Sequence, residues 1–164
     1  MTKDATKALE YWKSKARGAR LPSRADIDPS DMSGYLKWVT LVDVAQENDR
    51  VRYRMRLQGT GVADMFGRDV TGRWADEIYS DFYGGQLEQV YSDVLNSKNP
   101  ACLTCTTHHN DRAHAYRRLI MPLAADGRSV DMLLVYFDMA DIPIAAKGRL
   151  THGSSIWMPV AEIA

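Results

Sequence analysis

The sequence predicts an α+β domain built on a five-stranded antiparallel sheet. Three observations lead there. An apolar stripe at helical spacing opens the chain, two alternating strands follow, and three more strands come after a run of helices. Strands grouped apart from helices indicate an antiparallel sheet.

In "DATKALEYWKSKARG", Ala5, Leu9, Trp12 and Ala16 recur at three- and four-residue steps, which predicts an amphipathic helix over 4–17. Asp4 is placed to cap its start and Gly18 to stop it. Asp28 before Pro29 is an N-cap and first-turn pair, so a second short helix is expected over 29–36.

Strands are expected over 39–44 and 51–58, with "QEND" as the polar turn between them. The second strand carries Arg50, Arg52, Arg54 and Arg56 in alternation with Val51, Tyr53, Met55 and Leu57. Period two puts the arginines on a wet face and the four apolar residues on a buried one. Truncating Leu57 should therefore be costly, and truncating Arg52 or Arg54 should be nearly neutral. Cations on an outer strand also discourage pairing with another chain. The competing reading is a phosphate-binding stripe.

"GTGVADMFGRDVTGR" breaks the strand into short helical turns. Its Gly-x-Gly lacks the third glycine and the long helix of a dinucleotide site, so it reads as a tight turn. A longer helix comes next, with Tyr83, Leu87, Val90, Tyr91, Val94 and Leu95 as its apolar stripe and with Gly84 and Gly85 marking its start. The last strands are "ACLTCTT", "AYRRLIMPLA" and "SVDMLLVYFDM", the final two joined through Asp126-Gly127, a strong hairpin signal. Pro122 marks an irregular point. The organisation is a helical extension over 1–36, a core over 37–138 and a tail over 139–164. The tail has no clear period and is expected to pack on the domain or on a partner.

Composition narrows the class. The 164 residues hold 21 Lys+Arg and 21 Asp+Glu, so the net charge is zero, and nucleic-acid binders usually carry a basic excess. No apolar run approaches the ~20 residues of a membrane span, and the charged N-terminus lacks a signal-peptide core. Two cysteines are too few for a disulfide framework. The expectation is a cytoplasmic protein that contacts neither nucleic acid nor membrane.

Three segments carry a resemblance: "YWKSKARGARLPSRADIDPSDM", "RYRMRLQGTGVADMFGRDVTGR" and "RRLIMPLAADGRSVDMLLVYF". They resemble the PAS domain, and more finely the bacterial single-domain PAS family common in alphaproteobacteria, over about residues 11 to 137. The resemblance implies a five-stranded sheet with the 51–58 strand on one edge and helices over one face, enclosing a small pocket. It implies a sensory or regulatory module of signal transduction that binds a small ligand or a partner protein. Haem-binding members commonly use a histidine on the long helix, and residues 79–97 contain none. The Asn-Cys-Arg-Phe motif of the flavin photosensors is absent too. No cofactor is named by the sequence.

The expected pocket lining is Tyr53, Met55, Met65, Phe66, Trp74, Leu87, Tyr91, Met121 and Leu134. Cys102 and Cys105 have the spacing of zinc ligands, with His108 and His109 after them, but strand residues three apart face opposite ways. No catalytic constellation is legible, and the protein is not expected to be an enzyme. Two alternatives stay open: a ligand-free interaction module, and a small metal-dependent enzyme using the Cys-His segment. So short a helix needs a surface to pack on, its own sheet or a second subunit, and a homodimer is expected with Leu9 and Trp12 at its interface. The signalling partner is unidentified.

Overall fold

A computed structural model describes residues 1–79, 81–109, 112–139 and 151–159, with the backbone alone for 81–84, 106–109, 112–114 and 151–159. Two runs of sequence dictate its layering. "LIMPL" and "MLLVYF" are apolar at odd and even positions alike, so strands made from them need cover on both sides. They lie in β4 (Arg112–Leu123) and β5 (Met132–Asp138), and every residue of β5 is buried. Around them stand β1 (Val39–Glu47), β2 (Arg50–Gln58) and β3 (Ala101–His109) in the order β2-β1-β5-β4-β3, all antiparallel. This is the expected five-stranded sheet. The tail supplies a further strand, β6 (Thr151–Pro159), antiparallel to β3.

One face is covered by the N-terminal segment. Helix α1 (Lys3–Lys15) buries Ala5, Ala8, Leu9 and Trp12. Its N-cap is Thr2 rather than Asp4: the Thr2 hydroxyl accepts from the Ala5 amide at 3.2 Å. Short 3-10 turns come after it at Arg24–Asp26 and Pro29–Met32, the second capped by Asp28. Together these cover Val39, Leu41, Leu119, Met121, Leu123, Met132, Leu134 and Tyr136. β3 pairs with β4 only as far as Ala101 opposite Ile120, so Pro122 lies past that ladder. Its carbonyl accepts the Trp12 indole N–H at 2.8 Å. The segment is also clamped to the β4–β5 hairpin, where Leu21 N–H donates to Gly127 O and Ala124 N–H to Pro22 O. Gly127 has φ +76°, and a Cβ there would fall 2.6 Å from the Arg20 guanidinium, so the turn requires glycine.

The other face is covered by α2 (Thr60–Phe66), α3 (Ala75–Ile78) and α4 (Asp81–Ser97). The glycine pair of α4 stands inside the helix, which begins at Asp81. Leu87, Val90, Tyr91 and Val94 pack on Val42, Tyr53, Met55, Leu103 and Leu133. The Gly-x-Gly at the start of α2 is a close-packing device. A Cβ at Gly59 would strike the Lys37 carbonyl, and one at Gly61 would press on the Trp38 ring at 3.1 Å.

Two details of β2 depart from simple alternation. The hairpin to β1 turns on Asn48 and Asp49 alone, both at positive φ, as a two-residue hairpin of the primed type requires. Further on, Leu41 faces Leu57 while Val42 faces Met55, so Arg56 is an extra residue, a β-bulge. The bulge reverses the facing of the residues after it. Tyr53 and Met55 are buried as expected, but Leu57 points to the α1 side and is 43 % exposed. Val51, near the hairpin tip, is exposed as well. The expectation that both belong to the buried face is thereby corrected.

Candidate functional site

On the α4 side, polar side chains from β1, β2 and β4 meet the apolar core. Thr40 stands two residues before Val42 on the same face of β1, and the bulge turns Gln58 toward it. Arg118 lies between Tyr116 and Ile120 on the inward face of β4. These three side chains, with Met55, Val62, Phe66, Val70, Tyr79, Tyr91, Val135 and Phe137, line a cavity of about 20 Å³, room for about one water molecule.

Arg118 is 1 % exposed. Its guanidinium donates to the Tyr116 hydroxyl at 3.2 Å and hydrogen-bonds Tyr91. It lies 4.8 Å from the Phe137 ring centroid and 5.7 Å from those of Tyr79 and Tyr116. Aromatic faces stabilise a desolvated cation. Burial pushes the Tyr91 hydroxyl well above the usual phenol range, against the pull of the guanidinium, so it stays protonated. Thr40 is 4 % exposed, and its hydroxyl has no hydrogen-bond partner among the described residues. Leaving a buried hydroxyl unmatched costs about 1–3 kcal/mol. Gln58 is already engaged, its side-chain oxygen accepting from Val70 N–H at 2.7 Å.

Of the nine residues expected to line the pocket, Met55, Phe66 and Tyr91 do so. Tyr53, Met65 and Leu87 lie in the same core but not on the cavity wall. Met121 and Leu134 are corrected: both lie on the opposite face, under α1, because their neighbours Ile120 and Val135 hold the inward positions. Trp74 is corrected too. It lies half-buried outside the core, at 4.2 Å from the Arg52 guanidinium and 5.9 Å from that of Arg54. Leu9 and Trp12 are buried against their own sheet, so the expected dimer interface at these two residues is corrected as well. Sequence reasoning missed Thr40, Gln58 and Arg118. The one available signal was an arginine two residues from Tyr116 and Ile120, on an apolar face of a central strand.

The arginine row has acceptors within the protein. Arg52 makes two 3.0 Å hydrogen bonds to the Asp76 carboxylate and one of 2.8 Å to Glu47. That guanidinium holds the Asp76 carboxyl below its usual range. Arg56 reaches Asp43 at 2.7 Å, Arg50 reaches Glu88 at 3.7 Å, and Arg54 donates to Gly72 O at 3.0 Å. Residues 72–74 also lie along the outer edge of β2, with Met55 N–H donating to Arg73 O. Arg52 and Arg54 thus fasten this segment to the sheet, Arg50 reaches α4 and Arg56 its neighbour strand, and Arg52 is half-buried rather than wet.

Cys105 belongs to the α4-side core. Cys102 does not; it feels Arg117, Asp138 and the N-terminal amine, and burial pushes its thiol up to about 11. Among the described residues no helix is long and apolar enough to cross a membrane.

A family model described as PAS domain matches residues 1–136, so the chain belongs to the PAS family. The match includes α1, which is therefore part of the family pattern as well as of the packed domain. No curated protein matches the chain.

Proposed function

We propose, from its membership of the PAS family, that the protein is a signal-transduction module that takes a small ligand in the Thr40–Arg118 cavity and passes the change to a partner protein. PAS domains are in general sensory or regulatory modules, and that much comes with the family. The single observation behind the finer reading is the Thr40 hydroxyl, buried without a described partner where valine would fill the same space. A buried hydroxyl on the wall of a cavity is placed to hydrogen-bond what enters it.

Several features support this reading. The walls on the solvent side are short elements: Phe66 ends the seven-residue α2, Tyr79 comes directly after the four-residue α3, and both are half-buried. Moving them admits a ligand without unfolding the sheet. Binding is favoured over catalysis, because Tyr91 and Arg118 are poor proton carriers. Tyr91 is held protonated by burial, and an arginine does not give up its proton.

The test is native mass spectrometry of protein as isolated, beside a Val62→Phe variant that fills the cavity. A retained organic mass in the wild type, lost in the variant, is the expected result. The same retained mass in both would move the ligand elsewhere. A wild type that carries no organic mass, and whose spectrum no small-molecule library changes, would sink the reading. Association with a second copy, expected from the sequence, would use a surface other than the Leu9 and Trp12 stripe. Light scattering should then give the same mass for the wild type and a Trp12→Phe variant.

A further inference from the structure

We propose that the cavity recognises a small organic carboxylate, bound by Arg118 and Thr40; this rests on the reading that the cavity is the ligand site. The donors come first. Arg118 brings a planar guanidinium to the wall, the geometry that matches a carboxylate. Thr40 brings a hydroxyl with no hydrogen-bond partner among the described residues, on the same wall and more than nine-tenths buried. One cation and one hydroxyl suit a single negative charge. A phosphate dianion would bring a second negative charge, and among the described residues Arg118 is the one cation in the lining to meet it.

The remaining walls set the other end of the ligand. Met55, Val62, Val70, Val135 and Phe137 are apolar and offer it no hydrogen bond. A ligand with one charged end and a short hydrocarbon body suits the cation, the hydroxyl and these apolar walls; Gln58, Tyr79 and Tyr91 complete the lining. The space of about 20 Å³ accepts a water molecule and nothing larger. A carboxylate must therefore displace a solvent-side wall, either Phe66, whose ring meets Tyr116 and Phe137 edge-on at 6.1 and 6.2 Å, or Tyr79. Occupancy of the cavity is thereby coupled to the position of α2 or α3.

The experiment measures the melting temperature of the full chain with acetate, butyrate and benzoate, each against its neutral amide at matched ionic strength. The expected result is a saturable rise with at least one acid and none with its amide. Thr40→Val, which keeps shape and removes the hydroxyl, should melt at or above the wild-type temperature without ligand and bind the acid at least ~10-fold more weakly, as loss of one hydrogen bond of about 1.4 kcal/mol implies. Arg118→Lys keeps the charge, loses the fork, and should weaken binding further. Amides that bind as well as acids would overturn the carboxylate class while leaving the cavity as the ligand site. No saturable shift with any acid, or unchanged affinity in a folded Thr40→Val, would overturn the proposal. In either case the retained mass in the native spectrum judges the ligand site separately.

Discussion

The two faces of the sheet are finished in opposite ways. Under α1 the cluster is made of apolar side chains and the Tyr35 and Tyr136 rings; the Trp12 indole N–H is matched by a carbonyl, and the buried Asp138 carboxylate beside the cluster accepts from Thr2 N–H. Under α2 and α4 the centre holds a cation, two tyrosines and a hydroxyl without a described partner, around a small void. Both faces belong to the same strands and differ by one residue of parity. On the reading proposed above, the α4 face keeps a cation and a hydroxyl for a ligand, and the α1 face serves stability.

The largest expected effect breaks the first half of that comparison. Trp12→Ala should cost about 3–5 kcal/mol by equilibrium urea unfolding, as a buried aromatic lost from a packed core does. A change below about 1 kcal/mol would show that α1 is only loosely held. The β2 edge provides the contrast. Leu57→Ala should cost less than about 1 kcal/mol, because the bulge leaves that side chain 43 % exposed. A loss in the core range would mean that Leu57 is covered in solution.

The arginines sharpen the picture at smaller scale. Arg52→Ala should lower the melting temperature more than Arg54→Ala, since Arg52 holds two carboxylates and Arg54 a single carbonyl. Equal shifts would show that the carboxylate network adds nothing. The smallest effect is in the hairpin that α1's segment grips. Amides of Ser129 and Arg128 hold the Asp126 carboxyl down at about 2. A depressed carboxyl stabilises the fold above its unfolded value of ~3.9 and loses that contribution as pH falls through the folded one. Wild type and Asp126→Asn should therefore differ in stability at neutral pH and converge toward pH 2. A constant gap across that window would assign the difference to something other than the charge.

Much of the architecture was legible because it derives from period. The α1 stripe, the alternation of Tyr53 and Met55, and the Asp126-Gly127 turn each reflect a local rule. The features that stayed hidden depended on partners far away in the chain. The bulge at Arg56 is set by pairing with β1, and it alone decides which way Leu57 and Gln58 face. In β4 and β5 both parities are apolar, so nothing local distinguishes Met121 from Ile120 or Leu134 from Val135. Arg118 was masked by its neighbour: Arg117 and Arg118 together look like wet sequence, yet only Arg117 is half-exposed and reaches Asp138. The short helix at 4–17 announced that it needed a surface, but not that the surface was its own sheet. The tail has no period, and its strand is defined only by the edge of β3.

The most direct measurement is the unfolding free energy of Thr40→Val against wild type, with no ligand added. If the α4 face keeps that hydroxyl for binding, the variant is as stable as the wild type or more so, by up to about 3 kcal/mol. A variant less stable by about 1 kcal/mol or more would mean the hydroxyl holds the fold together, and the contrast between the two faces would fail.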